Sequence, residues 1–135
     1  MDKKYSYEEL LDIIATLRSE NGCPWDREQT HESLKVHLIE ECYELVEAIE
    51  KADDHLMQEE LGDVLLQLVL HAQIAKEEDR FTMEDVVDGI ANKMIHRHPH
   101  VFKEAGQNVD DLLEVNSANE VVSNWEKIKA KEKSE

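Results

Sequence analysis

The 135-residue chain reads as an all-α protein, a bundle of about five helices, on three observations. Apolar residues recur at three- and four-residue spacings along most of its length, and Ser or Thr followed three residues later by an acid opens several of these periodic segments. The composition is 41% hydrophobic with only four Gly and two Pro, which suits long helices joined by short connections. A many-turned β-sandwich, a collagenous chain and a disordered chain all fit it poorly. The length suits one domain, or one subunit of an oligomer, able to bury roughly two thirds of the surface its unfolded form exposes.

Ser6 with Glu9 makes a capping box, and Tyr5 with Leu10 stands at the hydrophobic-staple positions. A first helix is therefore expected over about residues 7–19, with Leu10, Ile13, Ile14 and Leu17 as its apolar stripe. Asn21-Gly22-Cys23-Pro24-Trp25-Asp26 should end it as a loop, because Gly tolerates positive φ and Pro24 pushes Cys23 out of helical geometry. A second helix, about 31–51, carries Leu34, Leu38, Leu45, Val46 and Ile49 beside the acids Glu40, Glu41, Glu44 and Glu47. A third, about 55–78, follows Asp53 and Asp54, either of which can cap it. Its stretch from Leu61 to Ala75 is apolar almost all round, which predicts burial on several sides. Asp63, Gln67 and His71 form one polar line along it, and buried polar groups without partners cost about 1–3 kcal/mol each, so that line should meet metal, ligand or hydrogen-bonding side chains. Thr82 with Asp85 and Phe81 with Val86 open a fourth helix that stops near His98, before Pro99. Ser117 with Glu120 opens a fifth, running through Trp125 and Ile128 and fraying from Lys131; residues 99–116 read as loop or short turns.

A formal charge of -17, from 32 acidic and 15 basic residues, argues against nucleic-acid and anionic-membrane partners, which need a broad basic surface. A small phosphate substrate remains compatible, because bound divalent ions reverse the local sign of the field. Cys23 and Cys42 are too far apart for a CxxC motif and read as reduced bystanders. The first residues carry no apolar run that would serve as a signal peptide, and no segment looks able to span a bilayer, so a cytoplasmic location is expected.

Two acidic sets dominate the chemistry: Glu40, Glu41 and Glu44, then Glu60 and Asp63 one helix later. Acids three apart share a helix face, so two antiparallel helices can aim four or five carboxylates into one pocket that Mg²⁺ or Mn²⁺ would hold ionised. In a chain with 32 acids, a solvated helix face is the competing account of EExxE, but Asp63 interrupts an apolar stretch, where carboxylates are rarely buried unless paired or metal-bound. Lys93 and Arg97 stand at i,i+4, as do Trp125 and Lys129. Cations near a helix C-terminus complement its dipole, and the same cations suit phosphoryl oxygens that metal ions do not reach. His96, His98 and His100 make a poor zinc set: helix geometry sends His96 and His98 to different faces and no cysteine is near, so His98 or His100 instead caps the helix end or touches phosphate. Trp25 suits a core plug, an interface anchor or a base-stacking platform.

The runs GCPWDREQTHESL (22–34), IEECYELVEAI (39–49), EELGDVLLQ (59–67) and KMIHRHPHVF (93–102) together resemble the MazG nucleoside triphosphate pyrophosphohydrolases over about residues 6–131. The resemblance implies an all-α fold in which helix pairs assemble across subunits into a dimer or tetramer. It implies Mg²⁺-dependent hydrolysis of a nucleoside triphosphate to the monophosphate and pyrophosphate, in service of nucleotide-pool house-cleaning. The family's metal ligands fall on Glu41, Glu44, Glu60 and Asp63, with Glu40, beside the catalytic candidate Glu41, holding or activating water or acting from behind the ligands; Lys93, Arg97, Trp125 and Lys129 match positions expected to hold the triphosphate and nucleotide, and Trp25 is a further candidate for substrate contact. Many members carry two tandem domains, and this chain, one domain over 1–135 with a frayed 132–135, looks like the N-terminal copy. The rival is a non-catalytic acidic helical dimer that binds nucleotide or metal as an interaction or regulatory module.

Overall fold

A computed structural model of the chain describes residues 3–102 and 115–134, and the rest of the expected 99–116 connection, residues 103–114, lies outside the described residues. Among the described residues there are six helices and no strand: α1 Tyr7–Leu17, α2 Pro24–Glu28, α3 His31–Glu50, α4 Asp54–Glu77, α5 Met83–His96 and α6 Ala118–Ser134. They fall into two compact units, one ending at Met83 and one beginning at Glu84.

In the first unit the expected starts are in place. Ser6 Oγ accepts from the Glu9 N–H and the Glu9 carboxylate accepts from the Ser6 N–H, while Asp53, rather than Asp54, caps α4 through the Leu56 N–H. The loop expected at Asn21–Asp26 is partly helical instead. Pro24 opens α2, since proline at the first helical position loses no bond and arrives with a helical φ. Gly22 is required by a close approach rather than by positive φ: a Cβ there would lie 2.2 Å from the Leu17 carbonyl oxygen. Two non-glycine residues do take positive φ, Ala52 at 54° and Asp79 at 56°, and each stands just past a helix C-cap, where the left-handed conformation closes the last carbonyls.

Arg18, its side chain only 6% exposed, ties three helices together. Its guanidinium donates twice to Glu77 of α4, at 2.9 and 3.0 Å, and also to the backbone carbonyls of Asp26 and Gln29 around α2. A bidentate arginine–carboxylate pair of this kind fixes orientation as well as adding energy. The core beside it is built from Ile14 of α1, Leu34 of α3 and Val69, Leu70 and Ile74 of α4, with Leu10, Leu11, Leu17, Leu66 and Met83 packed around them.

α3 and α4 form an antiparallel hairpin, because His31 at the start of α3 meets His71 late in α4 and Glu41 and Glu44 lie beside Glu60 and Asp63. Burial on several sides, expected for all of Leu61–Ala75, holds only for its second half. Val69, Leu70, Ala72, Ile74 and Ala75 are buried, whereas Leu61, Leu65 and Leu68 are exposed, as are Val36, Ile39, Tyr43, Val46 and Ile49 of α3 and Ile13 of α1. Those residues look away from the core that α1 and the C-terminal half of α4 supply.

In the second unit, Ser117 Oγ accepts from the Glu120 N–H, the cap expected for the last helix, and the Glu120 carboxylate accepts from the N–H of Asn116, one residue before that cap. α6 runs through Ser134. Its last turn is held by Glu132, which pairs with Arg97 at 3.0 Å and His96 at 3.1 Å.

Candidate metal centre and anion site

The hairpin delivers the acidic residues by simple periodicity. Glu41 and Glu44 are one turn apart on α3, Glu60 and Asp63 one turn apart on α4, and antiparallel packing sets the two pairs face to face. One carboxylate oxygen from each of the four can be chosen so that all lie within 4.8 Å of one another. Glu60 is buried at 9% exposure, Glu41 and Asp63 are half-buried, and Glu44 is open to solvent.

Electrostatics make this group costly as it stands. Burial, followed by the neighbouring Glu44, Asp63 and Glu41 carboxylates, pushes the Glu60 pKa up to about 7. Burial and the charges of Glu44, Asp63 and Glu40 raise Glu41 in the same direction. Glu41 Oε2 and Glu60 Oε2 are both shielded from solvent and have no hydrogen-bond partner among the described residues. Four convergent carboxylates, two of which carry a shielded, unpartnered oxygen, fit a hard divalent cation, which would neutralise the repulsion.

Glu40 stands outside this quartet. Its exposed carboxylate lies 3.9 Å from His37 Nδ1, and the His37 ring in turn meets the edge of Trp25 with centroids 6.2 Å apart. Trp25 is 54% exposed on α2, so it plugs no core within this chain. His37 went unnoticed in the sequence, although it lies one turn before Glu41 on the same face of α3. The polar line of α4 finds its partners unevenly. Asp63 joins the acids and His71 Nδ1 sits 2.7 Å from His31 Nδ1 in a parallel ring stack, with Arg80 on the far nitrogen of His31. Gln67, buried at 7%, leaves its Oε1 without a partner among the described residues.

The second unit holds Lys93, Arg97, Trp125 and Lys129. The Arg97 side chain is only 14% exposed; its guanidinium lies over the Trp125 ring, 5.0 Å from the centroid. His98 meets the edge of that ring at 5.3 Å and donates from Nδ1 to the Met94 carbonyl at 2.6 Å, so it does cap the end of α5. His100 is half-buried next to His98, with Nδ1 unpartnered among the described residues. Lys129 is half-buried one turn beyond Trp125 on α6, and Lys93 is exposed on α5. Arg97 and Trp125 are thus brought together, while Lys93 reaches the group only through its field on Glu132. The Glu132 contact was not legible in the sequence, since 35 residues separate it from Arg97.

Residues 29–102 match the model of the MazG nucleotide pyrophosphohydrolase domain. The chain is 54% identical to the nucleoside triphosphate pyrophosphohydrolase/pyrophosphatase MazG of Thermotoga maritima, over 94% of this chain and 45% of that protein. It is 53% identical to the uncharacterized protein YabN of Bacillus subtilis, over 96% of this chain and 25% of the relative, and 40% identical to the nucleoside triphosphate pyrophosphohydrolase of Escherichia coli, over 95% and 46%. The chain thus spans between a quarter and about half the length of these curated relatives. Among solved structures, a mazG-related protein from Thermotoga maritima superposes with a TM-score of 0.71 at 32% identity, covering 91% of this chain and 98% of that one.

Proposed function

The chain belongs to the MazG nucleotide pyrophosphohydrolase domain family, and from that premise we propose that it cleaves the α–β linkage of nucleoside triphosphates, releasing nucleoside monophosphate and pyrophosphate. The observation that carries this reading is the quartet of Glu41, Glu44, Glu60 and Asp63 with its two shielded, unpartnered oxygens. These residues would hold Mg²⁺, or Mn²⁺ in its place; such ions, when bound, neutralise phosphate charge and lower the pKa of a nearby water. Glu40 or Glu41 would orient a water near the phosphates and accept its proton as it attacks. Arg97 and Lys129, with Lys93 at longer range, hold the polyphosphate and stabilise the charge that develops on the departing pyrophosphate. Trp25 and Trp125 offer faces for the base. In the cell this activity removes unwanted triphosphates from the nucleotide pool of the cytoplasm.

The working form is a homo-oligomer, a dimer or a tetramer. The exposed apolar residues of α3 and α4 supply the surface for it, since large patches of this kind are uncommon on monomers. Substitution of the quartet tests the catalytic reading. Glu41→Gln and Asp63→Asn should each lower turnover by roughly a hundredfold or more while circular dichroism shows the helices intact. Equal biological activity in folded variants would favour a non-catalytic interaction module instead.

A further inference from the structure

The Arg97 cluster is already occupied by an anion, and that anion comes from the chain itself. Glu132 Oε1 lies 3.0 Å from Arg97 Nη2 and Oε2 lies 3.1 Å from His96 Nε2, so the two arms each take one oxygen of a single carboxylate. Two oxygens on one centre, held by a guanidinium and an imidazole, is also the arrangement in which a phosphoryl group is bound. Glu132 stands in the last turn of α6, where a negative charge opposes the helix dipole; its place there depends on Arg97 and His96. Lys93 adds its field to theirs. The cluster also has hydrogen-bonding capacity to spare, because Arg97 Nε and His100 Nδ1 are shielded and unpartnered among the described residues.

We propose that Glu132 is an internal occupant of an anion site formed by Arg97 and His96, and that phosphoryl oxygens of the substrate displace it. His96 thereby becomes a second phosphate-binding arm beside Arg97. The exchange is feasible because the Glu132 side chain is already 35% exposed and can turn to solvent, while a polyphosphate brings more charge to the same donors. The inference rests on the reading of Arg97 as a phosphate contact.

Binding of inorganic tripolyphosphate to the full chain, measured by calorimetry without divalent metal, separates the two claims. Glu132→Gln should bind roughly two- to fivefold tighter than wild type, the range expected when a partly exposed charge pair no longer competes. Arg97→Ala should abolish binding in either background, and His96→Ala should weaken it in the Glu132→Gln background. Unchanged or weaker binding by a Glu132→Gln protein of unaltered helix content would overturn the displacement. Should that variant lose helix content, Glu132→Asp keeps the charge but is too short to span both arms, so the same tightening is expected and unchanged affinity overturns it. If Arg97→Ala left wild-type binding intact, the reading of Arg97 itself would fall, and the displacement with it. Loss of binding in Arg97→Ala without tightening in the Glu132 variants would overturn the displacement alone.

Discussion

Glu60 concentrates the chemistry of the first unit in one side chain. In the metal-free protein its folded pKa of about 7 exceeds the ordinary value of 4.5, so the folded state binds more protons than the unfolded one between those limits. Its contribution to stability is therefore complete below pH 4.5 and is lost as the pH rises through about 7, and Glu41 acts with the same sign. Glu77 and Glu132, held down by Arg18 and Arg97, act below 4.5, outside this window, whereas His71, lowered first by burial and then by His31, opposes it near its upper end. Thermal unfolding in EDTA should isolate the Glu60 part. The midpoint of wild type relative to Glu60→Gln should fall between pH 5 and about 7, and Mg²⁺ should reverse the fall, because the metal binds the deprotonated acids. A pH-independent difference would contradict it. At this scale Glu41, Glu44, Glu60 and Asp63 were legible in the sequence, since i,i+3 spacing is a local property that any helix converts into a shared face. The pairs His31–His71 and Arg97–Glu132 were not, because contacts across 40 and 35 residues leave no periodic trace.

Among the elements, starts were easier to read than fates. The caps at Ser6 and Asp53 and the one at Ser117 follow from side chains within three residues, and each helix begins where its cap directs. α2 is too short to show an apolar period, and Pro24, which bars Cys23 from helical geometry, also opens this helix. Burial was misjudged along α4 for a different reason. An apolar surface shows that something covers it, without saying whether the cover is the same chain. Leu61, Leu65 and Leu68, with Val36, Ile39, Tyr43 and Val46 across the hairpin, lie exposed, and a second copy of the hairpin is the cover proposed above. Light scattering should then return at least twice the 15.7 kDa chain mass, and Val46→Asp should shift the population toward the single chain. A stable 15.7 kDa species in the wild type would contradict that assembly.

For the whole molecule, a charge of -17 sets the terms on which a polyphosphate can bind. A highly anionic nucleotide would be repelled by the chain at large, and among the described residues two features would oppose that repulsion: a cation held by the acidic quartet, and the Arg97 cluster of the second unit. The charge that argues against a nucleic-acid partner is also the reason the proposed activity should need a divalent metal. The activity should accordingly be all-or-none in metal. The most direct measurement is product analysis after the full chain is incubated with canonical, deoxy and oxidised nucleoside triphosphates, with Mg²⁺ or Mn²⁺ and again in EDTA. Equimolar nucleoside monophosphate and pyrophosphate, formed only with metal, is the predicted result; no such products from any of these nucleotides, or diphosphate and orthophosphate instead, would contradict the account.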